Sequence, residues 1–152
     1  MNKNERKAIS QHRLVVKKSR LPGAGKGLFT RDLISKGSFI IEYKGSITTW
    51  KKVLESTEFN GYVYYVNRNH VIDAMQDDAG IARYANDAKG LVTLPGLVNN
   101  AEYVIRNKQV FIKAIAEINA GDEILVAYGK EYWDVIRHNQ KIDAAVKKKK
   151  AR

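Results

Sequence analysis

The chain alternates between short apolar runs and turns that contain Gly, Asn or Asp. Short runs that are rich in Val, Ile, Tyr and Phe and bounded by such turns are typical of β-strands. The pattern predicts strands at Leu14–Val16, Phe39–Tyr43, Gly61–Val66, Val71–Ala74, Tyr103–Arg106, Gln109–Ile115 and Glu123–Ala127. Residues 67–69 and 107–108 each separate two neighbouring strands, so we expect two β-hairpins.

The helical segments are few and short. Thr48 or Thr49 can cap a helix that ends at Glu55, and the inner side of this helix is predicted to hold Trp50, Val53 and Leu54. Residues 77–87 are expected to be irregular or to form one short helical turn, and a C-terminal helix is predicted from Glu131 onward. This distribution favours a single, mainly β domain with short helices.

The composition narrows the classes of protein and of site. The 152 residues suffice for one domain with a moderate core. The chain has no Cys, and His12, His70 and His138 lack the spacing of metal ligands, so we expect neither disulfides nor a metal site. It has no apolar run long enough to span a membrane and no signal-peptide pattern after Met1. We therefore expect a soluble protein that is not exported.

The net charge of +11 lies at the two ends of the chain. Residues 1–20 and residues 137–152 each carry seven Lys or Arg and one acidic residue, whereas residues 21–136 hold 13 basic and 14 acidic residues. Basic ends on a near-neutral body are typical of proteins that contact nucleic acid or another acidic partner, and also of simple solvated termini.

The same division sets the expected domain boundaries. Met1–Gln11 is polar and lacks apolar periodicity, as disordered segments do. We predict a disordered basic arm, a folded domain, and a C-terminal helix with a basic tail, at residues 1–12, 13–134 and 135–152. The run Lys147–Lys150 also resembles a nuclear-localisation pattern. The expected location is the nucleus in a eukaryote, and the cytoplasm or nucleoid in a bacterium.

A glycine-rich run at residues 23–27 separates two apolar segments. A dinucleotide-binding fingerprint needs the spacing G-x-G-x-x-G, and a phosphate-binding P-loop needs Gly-Lys followed by Ser or Thr. Here the spacing is G-x-G-x-G and Gly27 follows Lys26, so neither pattern fits. The remaining interpretations are a turn whose backbone packs against a cofactor and a plain tight turn.

A polar segment, Gly80–Ala88, is followed by a pair of amides at Asn99 and Asn100. Small residues let a backbone approach a ligand closely, and Asn offers both hydrogen-bond donors and acceptors. By itself this segment is also compatible with an ordinary polar loop.

Four segments, taken in order, resemble the motifs of the SET-domain protein-lysine methyltransferases: Gly23–Phe29, Glu42–Gly45, Arg83–Ala88 and Gly121–Gly129. The resemblance extends from about Leu14 to Trp133. It implies a fold of several small sheets with a C-terminal pseudoknot and helix. It also implies methyl transfer from S-adenosylmethionine, without a metal, to lysine in a basic protein tail such as that of a histone or a nucleoid protein.

The resemblance assigns roles to several tyrosines. Tyr128 matches the catalytic tyrosine of the family. Tyr62 falls where relatives have a second tyrosine of the lysine channel and is also expected to take part in catalysis, with Tyr64 as the alternative if the register shifts. Packing within a strand is the other interpretation of Tyr62 and Tyr64. Val126, two residues before Tyr128, is expected to face the target nitrogen. Because it lacks a hydroxyl group, di- or trimethylation is predicted, unless Val126 only packs in the core.

The resemblance also implies a cofactor site. Its expected residues come from the glycine run, the polar segment and the C-terminal part of the chain: Ala24, Gly25, Lys26, Gly27, Tyr84, Asn86, Asp87, Tyr128 and Trp133. Trp133 is expected either to stack on the adenine or to anchor the C-terminal helix.

The chain departs from the family pattern at three points. It has Asn-Asp-Ala at residues 86–88, where relatives commonly have Asn-His-Ser, and a longer loop before Asn99. It also lacks Cys-rich zinc segments, so Trp133 and the helix after it are expected to close the channel. Asp87 cannot donate a hydrogen bond as His does. The alternative function is therefore a non-catalytic SET-like module whose basic ends hold nucleic acid or an acidic partner.

Overall fold

The computed structural model describes residues 2–56, 61–76, 79–90, 92–129, 132–133 and 148. Its strands are β1 Leu14–Lys18, β2 Lys26–Thr30, β3 Phe39–Tyr43, β4 Ser46–Thr48, β5 Val63–Asn67, β6 His70–Asp73, β7 Ala101–Arg106, β8 Gln109–Ala114 and β9 Glu123–Ile124. The helices are α1 Lys3–Gln11, α2 Trp50–Glu55 and a 3-10 turn at Ala82–Tyr84. No helix in this part of the chain is long and apolar enough to cross a membrane.

The strands form three antiparallel sheets with the orders β1-β2-β9, β3-β8-β7 and β4-β6-β5. The mainly β class with short helices is therefore confirmed. Both predicted hairpins are present, as β5–β6 and β7–β8. In the second, Asn107 and Lys108 both have positive φ, as the tightest hairpin turns require. The expected strand at Glu123–Ala127 is shorter, because its pairing with β2 ends at Ile124.

Two strands and one helix were not predicted. β2 and β4 are missed because one begins inside the glycine run and the other is only three residues long. The disordered arm predicted at residues 1–12 is wrong, since Lys3–Gln11 is helical. Asn2 accepts a hydrogen bond from the Glu5 N–H (2.9 Å), and the Glu5 carboxylate accepts one from the Asn2 N–H (3.1 Å). This capping box marks the start of α1 and is visible in the sequence as Asn2 followed by Glu5.

Helix α2 begins and ends as predicted, but the residues predicted for its inner side do not all face the core. Thr49 caps it by accepting a hydrogen bond from the Lys52 N–H at 3.3 Å. Trp50 and Leu54 are 38% and 67% exposed, so they are not core residues. The helix lies at the rim of the domain, where the Trp50 ring meets the outward-facing ring of Tyr65 edge-to-face at 5.3 Å.

The core lies between the three sheets, all of which contribute to it. Its largest fully buried apolar side chains are Leu28, Ile34, Ile40, Val71, Val110, Ile112, Ile118, Ile124, Leu125 and Val126. A parallel bridge also pairs Asn86 with Leu125, which brings the polar segment against the C-terminal part of the chain.

The segment after β9 lies between the two ends of the 86–101 loop, as expected for the pseudoknot. On one side, the Val126 N–H donates to the Asn86 carbonyl at 2.8 Å. On the other side, the Leu125 carbonyl accepts from the N–H groups of Asn100 and Ala101, and the Asn100 side chain bonds Leu125 N–H and Glu123 carbonyl. Tyr132 and Trp133 are helical, and the rest of the predicted C-terminal helix lies outside the described residues, apart from the helical residue at 148.

Candidate active site

A cavity of about 530 Å³ opens where the glycine run, the polar segment and the chain after β9 meet. Its lining residues are Leu21, Pro22, Gly23, Ala24, Gly61, Tyr62, Met75, Arg83, Tyr84, Asn86, Asp87, Gly90, Val92, Tyr128, Tyr132 and Trp133. The fold thus brings six of the nine predicted cofactor-binding residues to one cavity. Gly25, Lys26 and Gly27 do not line it; they lie in the turn and in β2 behind its wall.

The wall formed by the glycine run is a closed turn. The Ser19 N–H donates to the Gly25 carbonyl at 2.8 Å, and both Gly23 and Gly25 have positive φ, which explains glycine at these two positions. The Asn86 side-chain amide donates to the Lys26 carbonyl at 2.9 Å. Asn86 therefore links the glycine run to the polar segment while lining the cavity itself.

Arg83 is a positioning residue that the sequence did not single out for a role. One of its guanidinium nitrogens donates to the carbonyls of Ala74, Met75 and Gln76 at 2.8–3.1 Å, and a second donates to the Tyr84 hydroxyl at 3.0 Å. The guanidinium also lies 5.4 Å from the centre of the Tyr62 ring, within cation–π range. Arg83 thus holds the 74–76 segment and two aromatic rings of the cavity in place.

Asp87 is the hydrogen-bonding centre of the opposite wall. Its side chain is 6% exposed, and its two oxygens accept from the Tyr128 N–H (2.9 Å), the Trp133 indole (2.7 Å), the Asn99 amide (2.9 Å) and the Lys89 N–H (2.8 Å). Burial acts to raise the pKa of this carboxyl group, but these hydrogen bonds outweigh burial and hold the pKa below its usual value. All four partners are donors, so residue 87 has to accept, and a carboxylate does so at both oxygens.

Trp133 is held on three sides. Besides its bond to Asp87, its ring lies parallel to that of Tyr128 (11° between planes, centres 5.8 Å apart) and edge-to-face with Tyr132 at 5.0 Å. A Cβ at Gly90 would come within 2.5 Å of the indole, so only glycine admits the ring there. The indole lines the cavity and anchors the chain after Tyr128, which keeps both predicted roles open.

The Tyr128 hydroxyl points inward and donates to the Ala85 carbonyl. Burial, together with the neighbouring Tyr132, raises the pKa of this phenol well above its ordinary value. The group therefore stays protonated near neutral pH. Because its only hydrogen is used in the bond to Ala85, the oxygen is left to accept hydrogen bonds from another group.

Tyr128 belongs to a cluster of tyrosines, of which the sequence identified only a part. The ring of Tyr103 lies 6.4 Å from Tyr128, 5.9 Å from Tyr43 and 5.0 Å from Tyr64. Burial raises the pKa of Tyr43, Tyr64 and Tyr103. Tyr43 and Tyr103 were missed as site residues, although Tyr43 ends a strand inside the second motif and Tyr103 follows the Asn pair.

The three other residues predicted for the lysine channel lie at different places. Tyr62 lines the cavity, while Tyr64 packs in the tyrosine cluster behind it and does not line it. Val126 is 0% exposed in the core and is also absent from the cavity wall. Its assignment to the channel, and the degree of methylation that rests on it, stay predictions.

A comparison with known families identifies the fold. The family model of the SET domain matches residues 25–129. The chain belongs to the SET-domain family. This match includes the end of the glycine run, the polar segment, the pseudoknot and Tyr128, so the order of motifs in the sequence was interpreted correctly.

Relatives of this SET domain are lysine methyltransferases of greater length. The chain is 27% identical over 130 residues to histone-lysine N-methyltransferase EZH2 of Chaetomium thermophilum, covering 78% of the chain and 8% of that protein. It is 27% identical over 126 residues to N-lysine methyltransferase KMT5A of Xenopus tropicalis (75% and 36%), and 26% over 125 residues to histone-lysine N-methyltransferase set-1 of Caenorhabditis elegans (76% and 50%). The chain thus spans at most half the length of these relatives.

A solved structure supports the fold assignment. The methyltransferase domain of human PR domain-containing protein 2 superposes with a TM-score of 0.58 at 22% identity, covering 82% of this chain and 83% of that one. Likeness at this identity bears on the fold alone.

SET-domain methyltransferases use S-adenosylmethionine as their methyl donor. The cavity fits this group: its volume lies within the range of about 300–1,000 Å³ that small-molecule sites occupy. The rings of Tyr84, Tyr128 and Trp133 offer stacking surfaces and suit a cationic sulfonium centre. Asn86 and the Pro22–Ala24 backbone supply the polar groups.

Proposed function

We propose that this SET domain is a protein-lysine N-methyltransferase that uses S-adenosylmethionine. The observation that carries the proposal is Tyr128. Its hydroxyl donates to the Ala85 carbonyl, its ring forms part of a tyrosine cluster, and it lines the cavity that also contains Asn86 and Asp87. A protonated phenol whose oxygen is left as an acceptor suits the task of orienting a lysine amine.

The chain's own residues would divide the work as follows. Asn86, the 21–24 backbone and the aromatic rings bind the cofactor, which when bound supplies an electrophilic methyl group on a sulfonium sulfur. A free lysine has a pKa of about 10.4, so only about one in a few thousand is neutral at pH 7. Walls formed by the tyrosine rings that line the cavity disfavour the ammonium form and exclude water, which increases the share of nucleophilic amine.

Tyr128 then accepts an N–H bond from that amine and fixes its orientation. It does not remove the ammonium proton, because the raised pKa keeps its own hydroxyl protonated and its hydrogen is bonded to Ala85. Orientation alone has a large effect, since a misplacement of about 1 Å can cost about 100-fold in rate.

The proposed substrate is a lysine-rich protein tail of the histone or nucleoid-protein type. Two of the relatives are histone-lysine methyltransferases, which supports this class. The net charge of +11 adds nucleic acid as a proposed contact that would bring the basic enzyme and a basic substrate together. In a eukaryote this points to the nucleus, and in a bacterium to the nucleoid or cytoplasm.

The test combines calorimetry with S-adenosylmethionine and transfer of a labelled methyl group to histone tails, with and without DNA. We expect Tyr128→Phe to keep the cofactor affinity and melting temperature but to lose about 100-fold in turnover. Asn86→Ala should instead weaken cofactor binding about tenfold, since a cavity hydrogen bond is lost. Tyr65→Phe, on the far side of the β4-β6-β5 sheet, is the matched control and should match the wild type.

Two outcomes would contradict the proposal. If the wild-type protein does not bind the cofactor at concentrations well above micromolar, it is not this kind of enzyme. If it binds the cofactor but transfers no methyl group to any lysine-rich protein offered, the non-catalytic binding module is the better description.

A further inference from the structure

Glu123, at the start of β9, is a buried carboxylate that the proposed mechanism does not use. Its side chain is 2% exposed. One oxygen accepts from the Ser19 hydroxyl at 2.6 Å, and the other accepts from the Arg20 N–H at 2.8 Å. Both partners stand about 100 positions away in the chain, at the point where β1 passes into the glycine turn.

The contact continues from Ser19 to the cavity wall. The Ser19 hydroxyl oxygen accepts from the Leu21 N–H at 3.1 Å, and the Ser19 N–H closes the turn by donating to the Gly25 carbonyl. Leu21, Pro22, Gly23 and Ala24 then form one side of the cavity. The carboxylate therefore holds the turn from behind, through one intervening side chain, without touching the cavity itself.

Gly27 makes room for this arrangement. A Cβ at residue 27 would overlap the Glu123 carboxylate and would also come within 3.2 Å of the Ser19 Cα. The glycine that the sequence assigned to the cofactor thus lies behind the wall, where its missing side chain lets the carboxylate reach the turn.

Packing alone does not account for a carboxylate at this position. Among the described residues the salt bridges join Arg13 to Asp32 and Lys44 to Glu42, so no cation there pairs with Glu123. Burial of a carboxylate without a paired cation is costly unless its oxygens are well hydrogen-bonded. An apolar side chain would avoid the cost of burying a charge, but it would leave the Arg20 N–H and the Ser19 hydroxyl without this acceptor. A carboxylate at residue 123 accepts two hydrogen bonds from the turn, one from the Ser19 hydroxyl and one from the Arg20 N–H.

We propose that Glu123 is a positioning residue for cofactor binding, which holds the 19–25 turn in the shape that the cavity requires. This inference rests on the proposed function. Glu123→Gln keeps an acceptor for the Arg20 N–H but presents an amide donor to Ser19, and Ser19→Ala removes the same bond from the other side. Each change should raise the Kd for S-adenosylmethionine about tenfold, with kcat at saturating cofactor close to that of the wild type.

The double variant Glu123→Gln/Ser19→Ala should bind little worse than either single variant, because both changes act on the same bond between residues 19 and 123. Thr30→Val is the matched control: Thr30 is fully buried in the same sheet and donates a hydrogen bond to the Asp32 carbonyl at 2.8 Å, at the far end of β2 from the turn. It should lower the melting temperature and leave the cofactor Kd unchanged.

The experiment measures cofactor Kd by calorimetry, kcat, and melting temperature for the five proteins. If the wild type binds the cofactor and the Glu123 and Ser19 variants bind it equally well, as Thr30→Val does, Glu123 is only structural and the inference is overturned while the proposed function survives. If the wild type does not bind, the proposed function fails, and this inference fails with it. If Glu123→Gln unfolds, Ser19→Ala alone decides between these results.

Discussion

The bond between Asp87 and the Trp133 indole can be measured as a coupling energy. Trp133→Phe keeps an aromatic ring beside Tyr128 but removes the N–H that donates to Asp87 at 2.7 Å. A buried hydrogen bond to a charged group contributes about 1.5–3 kcal/mol. Asp87→Asn has the same shape but only one acceptor oxygen. Each carboxylate oxygen accepts from two of the four donors, so two of them face the NH2 group of the amide in this variant.

We expect Asp87→Asn to lower the free energy of unfolding by about 2–4 kcal/mol, and Trp133→Phe by about 1.5–3 kcal/mol. The free energy of unfolding of a small domain is about 5–15 kcal/mol, so both variants should still fold. In the double variant, the free energy of unfolding should fall by about 1–2 kcal/mol less than the sum of the two single effects, because both changes break the same hydrogen bond.

The assay is urea unfolding of the four proteins at pH 7, with fluorescence and circular dichroism followed together and the m-values compared. Trp50→Phe is the control, since Trp50 lies at the rim against Tyr65 and its effect should add to that of Asp87→Asn within about 0.5 kcal/mol. A coupling between Asp87 and Trp133 no larger than this control value would refute the reasoning that the carboxylate anchors the indole.

Two further predictions concern the same wall. Gly90→Ala should destabilise the protein by about 1–3 kcal/mol and shift the Trp133 emission, because the new methyl group meets the indole; unchanged unfolding and emission would contradict this. The lowered pKa of Asp87 means that its contribution to stability is fully present above the unfolded-state pKa of about 3.9 and is lost as pH falls through the lower folded-state value. The stability difference between wild type and Asp87→Asn should therefore shrink from about pH 5 downward in acid unfolding, and a constant difference down to pH 2 would contradict it.

Local patterns in the sequence determined the class of fold and the positions of many turns and helix ends. Interactions between near neighbours in the sequence explain three features: the turn at Asn107-Lys108, the cap at Thr49 and the apolar runs of β3, β7 and β8. The same holds for α1, whose capping box at Asn2 and Glu5 was present in the sequence but was overlooked. The order of the four motifs was enough to identify the SET domain, because each motif is short and contiguous.

The working arrangement of the site was decided only by the tertiary structure. Asp87 meets Trp133 across 46 positions, Glu123 meets Ser19 across 104, and no local periodicity reports such pairs. The same applies to Tyr103, whose ring reaches Tyr128 only because β7 and the chain after β9 are brought together at the pseudoknot. Side-chain hydrogen bonds and ring contacts depend on which strands become neighbours. The pairing of strands depends on the burial of a common core by the whole chain. These residues could therefore be located in the sequence, but their partners could not be assigned.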